Sequence, residues 1–520
     1  MKVPGNIISR IHDCQDLPGV SSIFRTIKWD VIDMRREYQP PRPAYLAEAE
    51  GKRLNPVTRE EEPFIEPKVH LKHKFCSITS VCMLICVLLG IITAIIIYQL
   101  VMVVVFYNMK SKWVKLLGGS ATVTSATASF ISVCSIMALS YLYSAIAWRL
   151  TSFEYPRTDD DFEKSYTYKM FIFQFINYYA TLFYLAFIKG NLATIPLFVR
   201  DLTDHCSPYG CSFSVATQLC TILVVKAAYN NMMEVGYPYM LYWYKQKTKK
   251  KVVREKGKEA SRCEQDFELT NAGKLIYIDF YLEMVLQYGF VAMFGAIFPL
   301  AAFFAYCNNL LETRIDAFAF VGNYRRVVPR AAADIGTWYP ILNFISRFAV
   351  ITNAVLIAFT TDIIDRALYQ LKVGFREMRG YMDYTLATFD TSDWSDKTLV
   401  QDSVLGNVTH CRYRGYYNAP GTPKEYDKKP EWWEAMVAKI AFILIFETVI
   451  LSFSVLIKSW IPDTPSDVKI HIQRNDFLNR QRASAERDII VNKGKKEHST
   501  TPTVEEATVE HKVTYRLLND

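Results

Sequence analysis

The sequence lacks the motifs that mark most soluble enzymes and small secreted domains. It contains no GxGxxG or P-loop pattern, no zinc-type pair of cysteines and no recognisable nucleophile–base arrangement. Its 11 cysteines are too few and too scattered in 520 residues to form a disulfide scaffold. The first ~70 residues are polar, without the apolar run of a signal peptide. These absences argue against an enzyme, a zinc protein and a disulfide-rich domain.

Apolar residues are abundant, and their distribution predicts a membrane protein. They make up 51% of the chain and lie in long runs separated by very polar stretches. A helix of about 20 apolar residues spans the bilayer core. We therefore predict an all-α polytopic membrane protein with a cytosolic segment (1–77), a transmembrane domain (78–461) and a cytosolic, largely disordered tail (462–520). The eight predicted spans are 78–106, 121–148, 169–189, 213–241, 272–293, 297–320, 338–361 and 434–461.

Basic residues predict the orientation of these spans. The densest basic run is KQKTKKKVVREKGK, from Lys245 to Lys258, in a chain of net charge +8. Beside an apolar helix, such a run is typical of a cytosolic loop that obeys the positive-inside rule. We therefore expect no nucleic-acid partner. Alternation places both termini inside the cell and residues 107–120, 190–212 and 362–433 outside.

The predicted outer loops contain residues that suit an oxidising, glycosylating compartment. Asn407-Val408-Thr409 is an N-glycosylation sequon. Cys206 and Cys211, in the segment HCSPYGC, and Cys411 are candidates for disulfide bonds. A metal site is the alternative for HCSPYGC, although its spacing is poor and no second pair lies nearby.

Acidic and amide residues occur inside three predicted spans. Asn230 and Glu234 are four residues apart on the fourth span, as are Glu312 and Asp316 on the sixth, so each pair shares a helix face. Glu283 lies on the fifth span. Carboxylates at such positions are costly, and a hard cation such as Ca²⁺ takes six to eight oxygen ligands. The pattern predicts a cation site between these helices.

The charged residues also have a structural interpretation. Each acid can lie at the cytosolic end of its helix, reach water, or pair with an arginine such as Arg314. Lys189 ends the third span and Lys226 lies inside the fourth. A buried lysine requires a partner or a water-filled path, and an anion pathway supplies the latter. Lys189 can equally be an interfacial anchor.

The chain resembles the anoctamin family of calcium-activated anion channels and phospholipid scramblases. The resemblance runs from about Trp29 to Ile470 and rests on many specific stretches. They are RPAY, NPVT, FEYPRTDDDFEKSYTYKMFIFQFINYY, AFIKG, NNMMEVGYP, NNLLETRIDAFAFV, DIGTWYPIL, CRYRGYY and WIPDTPSDV. The resemblance begins just before the third of the family's ten membrane helices. We therefore expect a truncated chain, without the family's N-terminal cytosolic domain and first two helices.

The resemblance implies a set of calcium ligands. The family binds two Ca²⁺ ions between its sixth, seventh and eighth helices, which correspond to the fourth, fifth and sixth spans here. The residues at the ligand positions are Asn230, Glu234, Glu283, Glu312 and Asp316. Phe280 stands where the family usually has another glutamate. Asp279 beside it is rotated about 100° on a helix, so we expect it to point away from the ions.

The resemblance also implies a function. We expect a calcium-gated chloride channel, with a calcium-activated phospholipid scramblase or an inactive regulatory subunit as the alternatives. Lys189 and Lys226 resemble basic residues along the family's anion path, and Gln99 replaces a third one, which argues against high anion selectivity. The implied partners are membrane lipids, small anions and a second copy, bound through the last helix. The implied location is the plasma membrane or an intracellular membrane.

The predicted orientation is tested at Asn407. Placed outside the cell, this residue should carry a glycan, and Asn407→Gln should abolish a glycosidase-sensitive shift in mass on a denaturing gel. If an accessibility assay finds Asn407 on the cytosolic side, the orientation is wrong.

Overall fold

The computed structural model describes most of the predicted spans and the segments next to them. The described residues are 40–55, 59, 61–108, 120–189, 211–236, 275–326, 335–373, 378–391 and 409–460, with scattered residues from 240 to 273 and from 470 to 487. The chain divides into two compact units. One contains Arg36–Arg330 and Ile335–Ser454; the other contains Met1–Arg35, Ala331–Asp334 and Val455–Asp520. In the second unit, the described residues have helical backbone.

A short helix and a β-hairpin precede the first long helix. Helix α1 is Pro43–Glu48, and strands β1 (Gly51–Leu54) and β2 (Glu61–Phe64) pair antiparallel. Two ion pairs connect this region to the start of a later helix. Arg42 Nε lies 3.0 Å from an oxygen of Asp159, and Arg157 Nη2 lies 2.5 Å from an oxygen of Glu62.

Among the described residues, most of each of the eight predicted spans is helical. The helices are α2 (Pro67–Asn108), α3 (Ser120–Phe153), α4 (Asp159–Phe183, continued by the π-helical turn Tyr184–Ile188), α5 (Cys211–Thr221), α6 (Ala227–Asn231), α7 (Ile276–Phe294), α8 (Leu300–Phe318, continued by the π-helical turn Ala319–Asn323) and α9 (Trp338–Thr360), followed by α10 (Ile363–Val373), α11 (Tyr381–Thr385) and α12 (Pro430–Trp460). The π-helical turn Ile222–Lys226 joins α5 to α6, and the turn Met232–Gly236 follows α6.

Six helices in the described part of the chain are long and apolar enough to cross a membrane: α2, α3, α4, α5–α6, α9 and α12. The predicted fold class, an all-α polytopic membrane protein, is thereby confirmed. Helices α7 and α8, the other two predicted spans, contain the acidic residues, which lower their mean hydropathy.

Two helices begin earlier than their apolar segments suggest. Helix α4 begins at Asp159 because the Thr158 hydroxyl accepts a hydrogen bond from the Asp161 amide at 3.1 Å, which caps the helix. Three aspartates in its first turn also favour the positive end of the helix dipole. Helix α2 begins at Pro67, and proline suits a first helical position. Helical structure thus extends into the predicted cytosolic segments.

The core lies between α2, α3, α4, α5, α7 and α9, and one glycine allows a close approach within it. The Tyr179 hydroxyl donates to the Leu286 carbonyl at 2.6 Å, which joins α4 to α7. A Cβ at Gly289 would lie 2.2 Å from that hydroxyl. A side chain at this position would therefore separate the two helices.

The predicted outer region between α9 and α12 has its own small sheet. Strands β3 (Leu386–Asp390) and β4 (His410–Arg414) pair antiparallel, with Phe389 opposite Cys411. The half-buried Cys411 is not in a disulfide with any described cysteine. Asn407, Cys206 and the Cys211 side chain lie outside the described residues, so glycosylation and cysteine pairing stay predictions. Helix α12 contacts this region through Lys439, whose Nζ lies 3.2 Å from Asp365.

A buried ion pair joins the adjoining ends of α3 and α4. Lys169 Nζ lies 2.8 Å from Glu154 Oε1, and the two side chains are 10% and 6% exposed. The ammonium also donates to the Ser165 and Thr151 hydroxyls, and Ser165 donates to the second carboxylate oxygen. Every strong donor and acceptor of the pair therefore has a partner.

Removing one member of this pair should destabilise the protein strongly. Lys169→Met leaves the Glu154 charge buried, which should cost about 3–5 kcal/mol of unfolding free energy. Lys52→Met removes the exposed pair with Glu61 and should cost no more than about 1 kcal/mol. Thermal unfolding of the two purified variants in detergent measures the difference, and equal midpoints would contradict the assignment.

Candidate functional site

The predicted ligand residues lie on an irregular helix and on two regular helices that contact it. Asn230 lies on α6, between the π-helical turns Ile222–Lys226 and Met232–Gly236. A π-helical turn interrupts the regular spacing of side chains and is frequent at functional sites. Both turns and α6 contact α8, and α8 also packs against α7. This arrangement brings residues far apart in sequence to one place.

Glu283 on α7 accepts two interactions from the irregular helix. Asn230 Nδ2 donates to Glu283 Oε1 at 2.6 Å, and Lys226 Nζ lies 3.3 Å from the same oxygen. The Lys226 and Glu283 side chains are 11% and 14% exposed, so this ion pair is screened from water. The Lys226 ammonium also lies 5.1 Å from the centre of the Tyr178 ring. The pair therefore joins α7 to the end of the first π-helical turn.

Glu312 on α8 is buried and incompletely hydrogen-bonded. It is 3% exposed. Its Oε2 accepts a hydrogen bond from Asn308 Nδ2 at 3.1 Å, while its Oε1 has no hydrogen-bond partner among the described residues. A buried carboxylate oxygen without a donor is costly unless a cation or a polar group satisfies it.

Amide side chains connect the two acid-bearing helices. Asn308 Nδ2 also donates to Gln287 Oε1 at 2.9 Å, and Gln287 Nε2 donates to Asn309 Oδ1 at 2.6 Å. Gln287 and Asn308 are not among the ligands that the sequence predicts. Gln287 lies four residues after Glu283 and Asn308 four residues before Glu312, so the spacing already placed each amide on its acid's face.

A cavity of about 340 Å³ opens beside Glu283. Its polar lining includes Lys226, Asn230 and Asp279. Asp279 therefore lines the cavity beside Glu283, whereas the expectation that it points away from the ions stays a prediction. Asp279 and Glu283 are four residues apart and share a helix face, whereas the sequence analysis compared Asp279 only with Phe280. Phe280 lines the cavity too.

The other two predicted ligands are less closely defined. The backbone of Glu234 lies in the turn Met232–Gly236, and its side chain is outside the described residues. Asp316 is half-buried, one turn after Glu312 on α8. Among the described side chains, no three acidic, histidine or cysteine groups come together as a metal site. The set of five ligands thus stays a prediction.

The donor chemistry of the described residues nevertheless fits a hard cation. Asn231 Oδ1, Asn308 Oδ1 and Glu312 Oε1 are buried oxygens without a hydrogen-bond partner in the described part of the chain. Carboxylate and amide oxygens are the ligands that Ca²⁺ prefers. Glu283, Glu312, Asn230 and the neighbouring amides are therefore the residues that would hold such an ion.

The predicted pore residues are found in different surroundings. Lys226 lines the larger cavity. Gln99 lines a smaller one of about 20 Å³, between α2, α3, α4 and α5. Lys189 follows the turn Tyr184–Ile188, is 5% exposed and lines neither of these cavities. The smaller cavity has an uncharged polar lining of Gln99, Ser125, Ser129, Ser132, Thr181 and Gln218.

In a helical membrane protein, buried acids between neighbouring helices mark a candidate functional site. The family model described as "Anoctamin: Calcium-activated chloride channel" matches residues 24–475. The chain belongs to the anoctamin family.

Comparison with curated proteins indicates the same family. The chain is 35% identical to Anoctamin-4 of Mus musculus over 473 residues, which is 86% of this chain and 49% of that protein. It is 34% identical to Anoctamin-3 of Mus musculus (87% and 46%) and 34% identical to Anoctamin-5 of Homo sapiens (87% and 50%). The chain spans about half the length of these relatives.

Phe280 offers a test of the site through a gain of function. The resemblance implies a glutamate at this position in the family, and Phe280 lies three residues before Glu283, on nearly the same face. Phe280→Glu should therefore tighten calcium binding by about tenfold relative to Phe280→Gln, because one more carboxylate faces the ion.

Phe280→Gln is the matched control for this test. Both variants lose the contact between the Phe280 and Phe320 rings, whose centres lie 5.6 Å apart, and only one gains a charge. Isothermal titration calorimetry with calcium measures both affinities. Equal affinities would place Phe280 outside the site.

Proposed function

We propose that this chain is a calcium-gated anion channel of the anoctamin type. The observation that carries the proposal is the buried polar cluster on α6, α7 and α8, in which Glu312 has an oxygen without a hydrogen-bond donor among the described residues. Family membership supports calcium as the ion. The proposed location is the plasma membrane, with an intracellular membrane as the alternative.

The residues of the cluster are suited to a gating role. Bound calcium would supply two positive charges that offset the acidic groups of the site. Glu283 and Glu312 belong to two helices, and Asn230 to a third, so holding one ion in common fixes these helices together. The π-helical turns beside Asn230 give the third helix an alternative backbone geometry. The helix then has two backbone geometries, and calcium shifts the equilibrium toward the geometry that binds it more tightly.

The residues that line the two cavities are relevant to which substrate the protein transports. Lys226 supplies a positive charge to the larger cavity, whose lining also includes the Asp279 and Glu283 carboxylates, so an anion is favoured there when a bound cation offsets these acids. A second candidate, the scrambling of phospholipid headgroups, rests on the family resemblance, because the smaller cavity of about 20 Å³ has room for little more than one water molecule. Helix α12 has no buried residue in its most apolar window, which suits contact with lipid or with a second copy. We propose a homodimer formed through this helix.

Glu312→Gln tests the proposed function. Because it removes the charge of a buried ligand and keeps its size, it should weaken calcium binding by at least about tenfold. It should shift calcium activation by a similar factor. Chloride flux and fluorescent-lipid flip, measured in the same liposomes, separate the channel from the scramblase.

Glu434→Gln is the control, since Glu434 is exposed and pairs with Lys372 on the predicted outer side. Calcium affinity unchanged by Glu312→Gln in folded protein would falsify the site. Calcium binding with neither flux nor flip would support the alternative of a regulatory subunit.

A further inference from the structure

The Lys226 ammonium lies against the carboxylate that is proposed to hold calcium. Its Nζ is 3.3 Å from Glu283 Oε1, and its side chain is 11% exposed. Lys226 is the last residue of the π-helical turn Ile222–Lys226, one turn before Asn230. The side chain thus extends from the irregular helix to α7.

Two donors already occupy the oxygen that a cation would need. Asn230 Nδ2 donates to Glu283 Oε1 at 2.6 Å, and the Lys226 ammonium approaches the same atom. For calcium to be held by both oxygens of Glu283, the Asn230 amide has to present its oxygen and the Lys226 ammonium has to withdraw from Oε1. An ion bound through Oε2 alone would still be repelled by the ammonium on the neighbouring oxygen.

We propose that Lys226 is a built-in competitor of calcium for Glu283, an inference that rests on the proposed calcium site. The lysine charge neutralises Glu283 whenever calcium does not. Calcium must displace the ammonium, so the calcium concentration needed for activation is higher than the acidic ligands alone would set. Lys226 is in this sense a residue that determines calcium sensitivity.

The displaced ammonium has a place to go. The cavity of about 340 Å³ adjoins both Lys226 and Glu283, and the Tyr178 ring lines it 5.1 Å from the ammonium. A lysine freed from Glu283 can remain beside this ring and turn toward the Asp279 carboxylate, which lines the same cavity. The exchange therefore couples calcium binding to the charge that an anion meets in the cavity.

A lysine that served only as a fixed pore charge would be placed differently. It would point into the cavity without contacting an acidic ligand. The short distance to Glu283 and the low exposure of both side chains favour the competitor, because a buried ammonium is stable only when paired.

The Lys226→Met variant tests this competition. It keeps the length of the side chain and removes its charge, so it should lower the calcium dissociation constant by about tenfold. Titration calorimetry on the purified full chain measures this constant directly, without reliance on activity. Lys226→Gln is a second uncharged variant in case Lys226→Met does not fold, and the same change is expected.

Lys439→Met is the matched control. Lys439 is also a buried partner of a carboxylate, 3.2 Å from Asp365 and 15% exposed, but it lies on α12. Its loss should lower thermal stability and leave the calcium dissociation constant unchanged. A change equal to that of Lys226→Met would contradict a specific effect at Glu283.

A double-mutant cycle tests whether Lys226 acts through Glu283. In chelator, Lys226→Met should lower the midpoint of thermal unfolding in the wild-type background, because it leaves Glu283 unpaired. In the Glu283→Gln background the same change removes an ammonium that has lost its partner, so the midpoint should stay the same or rise. Equal shifts in the two backgrounds would overturn the assigned pairing.

The outcomes separate this inference from the proposed function. A dissociation constant that Glu312→Gln raises and Lys226→Met leaves unchanged overturns the competition alone. Calcium binding by the Lys226→Met variant but not by the wild type supports the competition in its strongest form. No binding by either protein overturns both proposals.

Discussion

A carboxylate withdrawn from water has to be met by an opposite charge or by hydrogen-bond donors, and Glu283 and Glu312 meet this constraint in different ways. Glu283 receives the Lys226 ammonium and the Asn230 amide on one oxygen. Glu312 receives a single amide, from Asn308, and keeps one buried oxygen without a donor among the described residues. One acid is thus neutralised from within the chain, whereas the other is available to a cation. The packing of the surrounding helices has to accommodate both.

This constraint gives the contacts between the helices their polar character. The amides of Gln287 and Asn308 connect α7 to α8 beside the acids, so the helices are joined by groups that can exchange partners. Tyr179 and Gly289, by contrast, join α4 to α7 through a close contact that leaves no room for a side chain. The close-packed interface between α4 and α7 therefore lies beside the interface between α7 and α8, whose hydrogen bonds can change partners. This arrangement suits a protein in which one helix moves while the others remain fixed.

The sequence was sufficient to predict where the helices lie, but it was insufficient to predict which side chains contact one another between helices. Long apolar runs predicted the positions of the membrane helices, because the bilayer requires a certain length and an apolar composition of each helix that spans it. The i, i+4 rule also contained the information that Asp279 shares a face with Glu283, although the sequence analysis did not use it. The contact between Lys226 and Glu283 was not predictable in this way. It depends on the π-helical turn Ile222–Lys226, which changes the direction of the Lys226 side chain, and on the adjacency of helices far apart in sequence.

Glu283 and Glu312 are proposed to hold calcium in common, and Lys226 is proposed to leave Glu283 when the ion binds. A cryo-electron microscopy map of the full chain, prepared once with saturating calcium and once with chelator, tests this claim most directly. The account predicts density between the two carboxylates in calcium, with oxygens at about 2.3–2.6 Å from it. It also predicts a Lys226 side chain turned into the cavity beside Tyr178. Identical maps, with Lys226 against Glu283 in both, would contradict the account.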